Sequence, residues 1–296
     1  MIKKYTKLAI FCLAFIVISP IIVLYAKGDI FTSGWNILKT GGIYITSAPI
    51  GSEIFINSQL KGLTSFFSRN VLIKSLRPNT YEVLVKKEGY NAWTNKIKVS
   101  DNFVSDANVF MLPTEIKLEE IKKFDLTQKD SEKITIPASV KNKEYEDVNL
   151  VFSSPSVLTQ KTSANTTPKI DFKGNLGTKN SPIMDGKLGV WREGGEVFVA
   201  WFGRNDTAPK YLCRESDCMQ TISVFNFGKP VRNINFFPEY DGVIIVALEN
   251  KIEAFQADPH ITKLFQKIYV GQSPDFRIID EVLYIKDRDF IAKVTL

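Results

Sequence analysis

His260, in Ala-Asp-Pro-His-Ile-Thr-Lys, is the chain's one histidine and so its one side chain that titrates near neutrality unaided. General-base work on a nucleophile needs a Ser or Cys beside such a ring and a carboxylate to orient it. No serine stands in a G-x-S-x-G context, and the sequence contains no H-E-x-x-H, P-loop or G-x-G-x-x-G pattern. His260 therefore reads as a turn or surface residue. The carboxylates Glu119/Glu120 and Glu144/Glu146/Asp147 fall in highly charged stretches, where solvation accounts for them. A glycosidase sets two carboxyls across a cleft, an arrangement that linear order does not reveal. The expectation is a protein that is not an enzyme and has no cofactor. An envelope hydrolase using carboxylates in a cleft is the alternative.

Cys213 and Cys218, in Tyr-Leu-Cys-Arg-Glu-Ser-Asp-Cys, are the next candidates. A structural metal centre takes about four ligands. One histidine and a third cysteine far away at Cys12 do not supply them, so no metal is expected. A disulfide is favoured over free thiols, and a loop so short would add only ~2 kcal/mol by loop-closure entropy. Among the aromatics, Tyr90 and Trp93 follow Gly89 and are the candidate binding residues, because flat rings anchor ligands and interfaces. Trp191 and Trp201 flank a hairpin, and Trp201 in the alternating Val-Phe-Val-Ala-Trp run reads as core. Asn165-Thr166-Thr167 and Asn205-Asp206-Thr207 are glycosylation sequons.

Short strands must position these residues. Between 42 and 112, Ile43/Ile45, Ile54/Ile56 and Val83/Val85 sit two apart, the period of strands with one buried face. Ala48-Pro49-Ile50-Gly51, Asn57-Ser58, Arg77-Pro78-Asn79 and Glu88-Gly89 separate them as reverse turns. The order Ser47-x-Pro49-x-Gly51, Ile54-x-Ile56-Asn57, Gly62-x-Thr64, Leu76-x-Pro78 and Gly89-Tyr90-x-x-Trp93 resembles a PEGA domain. Ser52 stands where that family usually has Ala, Ser58 and Asn79 where it has Gly, and Ser65 where it has Pro. The resemblance implies a small β-sandwich of a prokaryotic surface protein.

The rest of the chain of 296 residues is long enough for a second core. A charged connector with an exposed loop is expected over 113–169. A propeller-like or irregular antiparallel β domain follows at 170–296, its start placed as early as 115. Ile116, Leu118, Ile121 and Phe124 suit either a short amphipathic helix or edge strands. Three acidic turns, at Asp185, Asp241 and Asp280, each begin a strand that returns through a second turn; they lie 56 and 39 residues apart.

Before these domains, Leu8 to Ala26 carries no charge and would span roughly 28 Å as a helix, near the ~30 Å of a bilayer core. A cytoplasmic tip and retained transmembrane helix over 1–27 are favoured over a cleaved signal or a buried core helix, with Lys3, Lys4 and Lys7 keeping the N-terminus in the cytoplasm. Net charge is +6, and no run of Lys/Arg interleaved with aromatics tracks a phosphate backbone, so nucleic acid is not an expected partner. The fold class expected is all-β behind a membrane helix. The function expected is non-catalytic, extracytoplasmic binding or scaffolding in the cell envelope, with polysaccharide or a surface protein as partner. A purely self-assembling stalk is a further possibility.

Overall fold

The computed structural model describes residues 11–20, 22–23, 30–31, 37–46, 48–66, 68, 70–121, 138–153, 177–214, 217–218, 221–238 and 240–295. The chain is mostly β and divides into two compact units, Met1–Met111 and Leu112–Leu296.

The first expectation to correct is the transmembrane helix. Among the described residues no helix is long and apolar enough to cross a membrane. The described helical stretch 11–20 reaches about 15 Å at ~1.5 Å per residue, half of what a bilayer core requires. The flanking positions 8–10, 21 and 24–26, like Lys3, Lys4 and Lys7, lie outside the described residues.

In the first unit, strands β1 (Ile30–Phe31) and β2 (Ile37–Leu38) form a short antiparallel pair. The main strands are β3 (Gly41–Thr46), β4 (Glu53–Ile56), β5 (Gln59–Leu63), β6 (Val71–Leu76), β7 (Asn79–Lys86), β8 (Trp93–Val99) and β9 (Val104–Asn108). They make a three-stranded sheet in the order β6-β3-β9, with β3 and β9 parallel, and a four-stranded antiparallel sheet β5-β4-β7-β8. Ile43, Ile45, Ile54, Ile56, Val83, Val85, Trp93 and Val99 are all buried, and their alternation with exposed neighbours gives each sheet one apolar face. The hairpin β4–β5 turns on Asn57 (φ 47) and Ser58 (φ 65), two left-handed residues in a row, which is the arrangement whose twist matches paired strands. Asn57 Oδ1 then accepts the Glu82 amide at 2.9 Å, tying the turn to β7.

The family-like turn residues have a concrete task. The Pro49 carbonyl accepts both the Thr64 hydroxyl and the Ser52 hydroxyl, each at 2.6 Å, while Thr64 Oγ1 accepts the Ser52 amide at 2.8 Å. Both hydroxyl residues are buried, and paired buried polar groups avoid the penalty of a lost hydrogen bond. Ser52, which departs from the usual Ala, thus adds a bond within that knot. Ser47 lies outside the described residues.

Among the described residues the second unit contains three four-stranded antiparallel sheets. The first is β11 (Ile183–Asp185), β12 (Leu188–Glu193), β13 (Glu196–Trp201) and β16 (Thr221–Asn226). The second is β17 (Asn233–Phe236), β18 (Val243–Ala247), β19 (Lys251–Gln256) and β20 (Gln266–Val270). The third is β21 (Asp275–Ile279), β22 (Val282–Asp287) and β23 (Phe290–Thr295), completed by β10 (Lys117–Glu120) from the start of the unit. The residues left open between helix and strand over 116–121 are therefore an edge strand; Phe124 lies outside the described residues. The three hairpins read from acidic turns are β12/β13, β18/β19 and β22/β23. All five residues of β18 are buried, as a continuous apolar run between two covered faces must be. Val190, Val199, Ile234, Val246 and Phe255 belong to one core shared by the first two sheets.

The all-β expectation needs a second correction. Ala138–Ser153, inside the stretch read as a connector, is a helix of 16 residues. Tyr145, Val148 and Phe152 recur at helical spacing and pack against Tyr284 and Ile291 of the third sheet. Glu144, Glu146 and Asp147 fall on its exposed side. Lys286 Nζ donates to Asn149 Oδ1 at 2.8 Å and stands 5.8 Å from the Phe152 ring centre.

Candidate functional site

In an up-and-down meander, alternate connections fall at the same end of the sheet. By that rule the β11–β12 turn and the β13–β16 connection share one end of the first sheet, and the β17–β18 and β19–β20 connections share one end of the second. Two backbone bonds close these pairs, Phe202 N–H to the Lys187 carbonyl and Ala257 N–H to the Gly242 carbonyl, each 2.8 Å. The β13–β16 connection is structured. It carries 3-10 turns at Asn205–Thr207 and Lys210–Leu212, then the two-residue strands β14 (Cys213–Arg214) and β15 (Asp217–Cys218). Cys213 and Cys218 face each other across that ladder and form a disulfide with Cα atoms 3.8 Å apart.

Tyr211 and Leu212, just before the disulfide, turn inward. Leu212 is fully buried, and Tyr211 packs against the core beneath the loop. The Tyr211 hydroxyl is buried without a hydrogen-bond partner. Gly242 lies opposite: a Cβ built there would meet the Tyr211 Oη at 3.9 Å and no other atom within 4 Å. Burial, then the negative charges of Asp258 and Asp185, push the Tyr211 hydroxyl far above its ordinary range, so it remains a protonated donor.

The β19–β20 connection supplies the other polar groups. Lys263 Nζ donates to the carbonyls of Gln256 at 2.8 Å and Asp258 at 2.6 Å and lies 5.7 Å from the Phe255 ring centre. Desolvation lowers its pKa to about 8 against an opposing pull from Asp258. His260 is exposed; its amide donates to Asp258 Oδ1 at 2.8 Å, and its Nδ1 stands 3.3 Å from the same oxygen. That is a loop cap built on Asp258. The assembly offers a protonated hydroxyl donor, two carboxylate acceptors and an ammonium already committed to backbone carbonyls. Among the described residues no group of three His, Cys, Asp or Glu side chains is placed to hold a metal.

Lys263 makes stability depend on pH with a definite sign. Its folded pKa, about 8, is below the unfolded 10.5, so between those values the unfolded chain binds more protons and stability rises with pH. Allowing for partial solvent screening, the gain is about 1–3 kcal/mol. Above pH 10 the raised hydroxyls of Tyr211, Tyr269 and Tyr284 act in the opposite sense. Urea midpoints at pH 8 and 9.5 should therefore rise in the native chain and stay flat in Lys263→Met. Equal slopes for the two proteins would refute this account.

The aromatic candidates are placed differently from the binding role expected of them. Trp93 opens β8 opposite Val85 and is 1% exposed, so its ring is core and presents no face to a ligand. Tyr90 is half-buried with Lys87 Nζ 4.4 Å from its ring centre. Trp191 is buried and stacked on Phe198 at 5.5 Å. Trp201 is half-buried at the loop end of β13, its indole N–H donating to the Arg204 carbonyl at 2.9 Å. Of the sequons, Asn205 is exposed on a 3-10 turn, and Asn165 lies outside the described residues. Tyr211, Lys263, Asp185 and Asp258 escaped sequence reasoning as a group, because chain positions 185, 211, 258 and 263 carry no common spacing.

The first unit defines a class of module, two β-sheets closed over an apolar interior. The family model that matches it is the PEGA domain, over residues 40–112, so the chain contains a PEGA domain. Comparison with curated proteins found no match. Among solved structures, one described as the AfRom2 CNH domain aligns at 11% identity over 80% of this chain and 70% of that one, with a TM-score of 0.23, too low to argue from.

Proposed function

We propose that this chain is a non-catalytic extracytoplasmic protein that binds or scaffolds in the cell envelope, with an envelope polysaccharide or surface protein as its partner. The Cys213–Cys218 disulfide carries the reading, because such bonds persist in oxidising compartments and are rare in reducing ones. The PEGA domain agrees with it. The loop end of the second unit agrees too, since a tyrosine held protonated and a lysine occupied by carbonyls recognise rather than react. The test is retention of the full chain on isolated envelope fractions, together with thiol trapping in intact cells. Retention with a blocked Cys213–Cys218 pair is the expected result. Free thiols in the cell, or no retention on any envelope fraction, would overturn the proposal.

A further inference from the structure

Asn205-Asp206-Thr207 is an Asn-x-Thr triplet with no proline at its centre, the arrangement a glycosyl-transferring enzyme reads through the carboxamide and the hydroxyl two residues on. Such triplets arise by chance in many chains. They carry weight where the fold presents them on the surface of a chain that leaves the reducing compartment. The surface condition is met. None of the residues Asn205–Thr207 is buried, and the side chains of Arg204 and Asp206, paired at 2.8 Å, stay 85% and 58% exposed. The turn is also held locally. The Thr207 amide and hydroxyl donate to the Arg204 carbonyl at 3.1 and 2.9 Å, the Trp201 indole donates to the same carbonyl at 2.9 Å, and the Ala208 amide donates to the Asn205 carbonyl at 3.2 Å. Opening it in an enzyme's cleft gives up a few exposed hydrogen bonds and no buried apolar side chain, which puts it at the low end of local stability. The compartment condition rests on the extracytoplasmic reading above. Cys218 Sγ, bonded to Cys213, stands 3.6 Å from the Asn205 carbonyl oxygen, so the bond that marks an oxidising compartment closes against the turn that carries the triplet.

We propose that Asn205 is an acceptor for an N-linked glycan, supplied as an oligosaccharide on a polyprenyl diphosphate. In the transfer Asn205 Nδ2 forms a bond to the anomeric carbon of the first sugar, and the bond from that carbon to the diphosphate oxygen breaks. The polyprenyl diphosphate leaves with the electron pair, and one Nδ2 proton passes to a base of the transferase. Nothing is oxidised or reduced. The glycan then projects into solvent from the β13–β16 connection, adding polar bulk beside the disulfide.

The experiment is peptide mass spectrometry on the full chain isolated from the cells that make it, with free thiols trapped at lysis. The peptide that contains Asn205 should carry the mass of hexose or hexosamine units, and a glycoamidase acting in heavy-oxygen water should leave a labelled aspartate at that position. Asn205→Gln and Thr207→Ala should each lose the added mass. Thr207→Ser should keep it, because serine supplies the same hydroxyl. All three changes lie on the exposed turn, so the disulfide and the thermal midpoint should persist in each variant. A bare Asn205 in the native chain, or a glycan retained in Thr207→Ala, would overturn the assignment. A bare Asn205 found with a blocked Cys213–Cys218 pair sinks the site and leaves the extracytoplasmic reading standing; free thiols sink both.

Discussion

Replacing Trp93 with alanine should cost the first unit about 3–5 kcal/mol, the usual toll for removing a large buried aromatic from a core. The side chain is among the largest fully buried in the protein, at 1% exposure, and sits in the same cross-strand row as Ile54 and Val85. A cavity at that point removes packing from the buried face of its sheet, and a small sandwich has little reserve against it. In a calorimetric scan of the full chain the transition of the first unit should drop on the order of 15 °C or more. The transition of the second unit should hold. Trp93→Phe, which retains much of the volume, should recover most of the loss. A drop of only a degree or two in Trp93→Ala would mean that the ring packs against nothing.

Gly271→Ala should be strongly damaging to the second unit. Gly271 begins the connection from β20 to β21, between the second and third sheets. A Cβ there would stand 1.8 Å from Asp287 Oδ2 and 2.6 Å from Tyr269 Cε1. That carboxylate is already engaged: it accepts the amides of Gln272 and Ser273, each at 2.9 Å, and the Tyr269 hydroxyl at 3.3 Å. Burial alone would raise the Asp287 carboxyl, but the Ser273 and Gln272 amides, Tyr269 and Arg288 together hold it below the ordinary value. Its contribution is therefore present above pH 3.8 and fades as pH falls through the depressed value. Alanine at 271 must push Asp287 off both amides, and charge-assisted bonds of this kind are worth about 1.5–3 kcal/mol each way they are counted. The expected loss is about 2–4 kcal/mol.

Because both changes break the same staple, Asp287→Ala and Gly271→Ala should overlap strongly when combined rather than add. Full additivity in that double-mutant cycle would refute the mechanism. The rest of the junction should persist in both variants. Arg232 donates to Ser273 and Pro274, and Asn233 to Asp275 and Phe276, from the start of β17.

How much of this was legible beforehand varied with the range of the interaction involved. The strands around Ile43/Ile45, Ile54/Ile56 and Val83/Val85, the Asn57-Ser58 turn and the three acidic-turn hairpins all announce themselves through a period of two and through turn chemistry. Those signals arise from neighbours along the chain, as did the pairing of Cys213 with Cys218 five residues on. The Ala138–Ser153 helix also had a local signal, Tyr145, Val148 and Phe152 at helical spacing, which the dense charge around it obscured. The apolar stretch before the first strands shows the opposite error: composition from Leu8 to Ala26 suited a membrane helix, and the described helical stretch is too short for one.

Composition and periodicity thus determined that the chain is built from short antiparallel hairpins and that its late cysteines pair, while the order of motifs between 42 and 112 carried the resemblance to a PEGA domain. Tertiary structure alone decided that Trp93 is core rather than surface, that Asp287 staples the connection at Gly271, and that the Tyr211 hydroxyl is buried beside Gly242. A side chain's face on a strand follows from its immediate neighbours. Which distant carboxylate or ring shares its surroundings depends on how whole sheets stack, and that energy is spread over many contacts with no mark in the linear order.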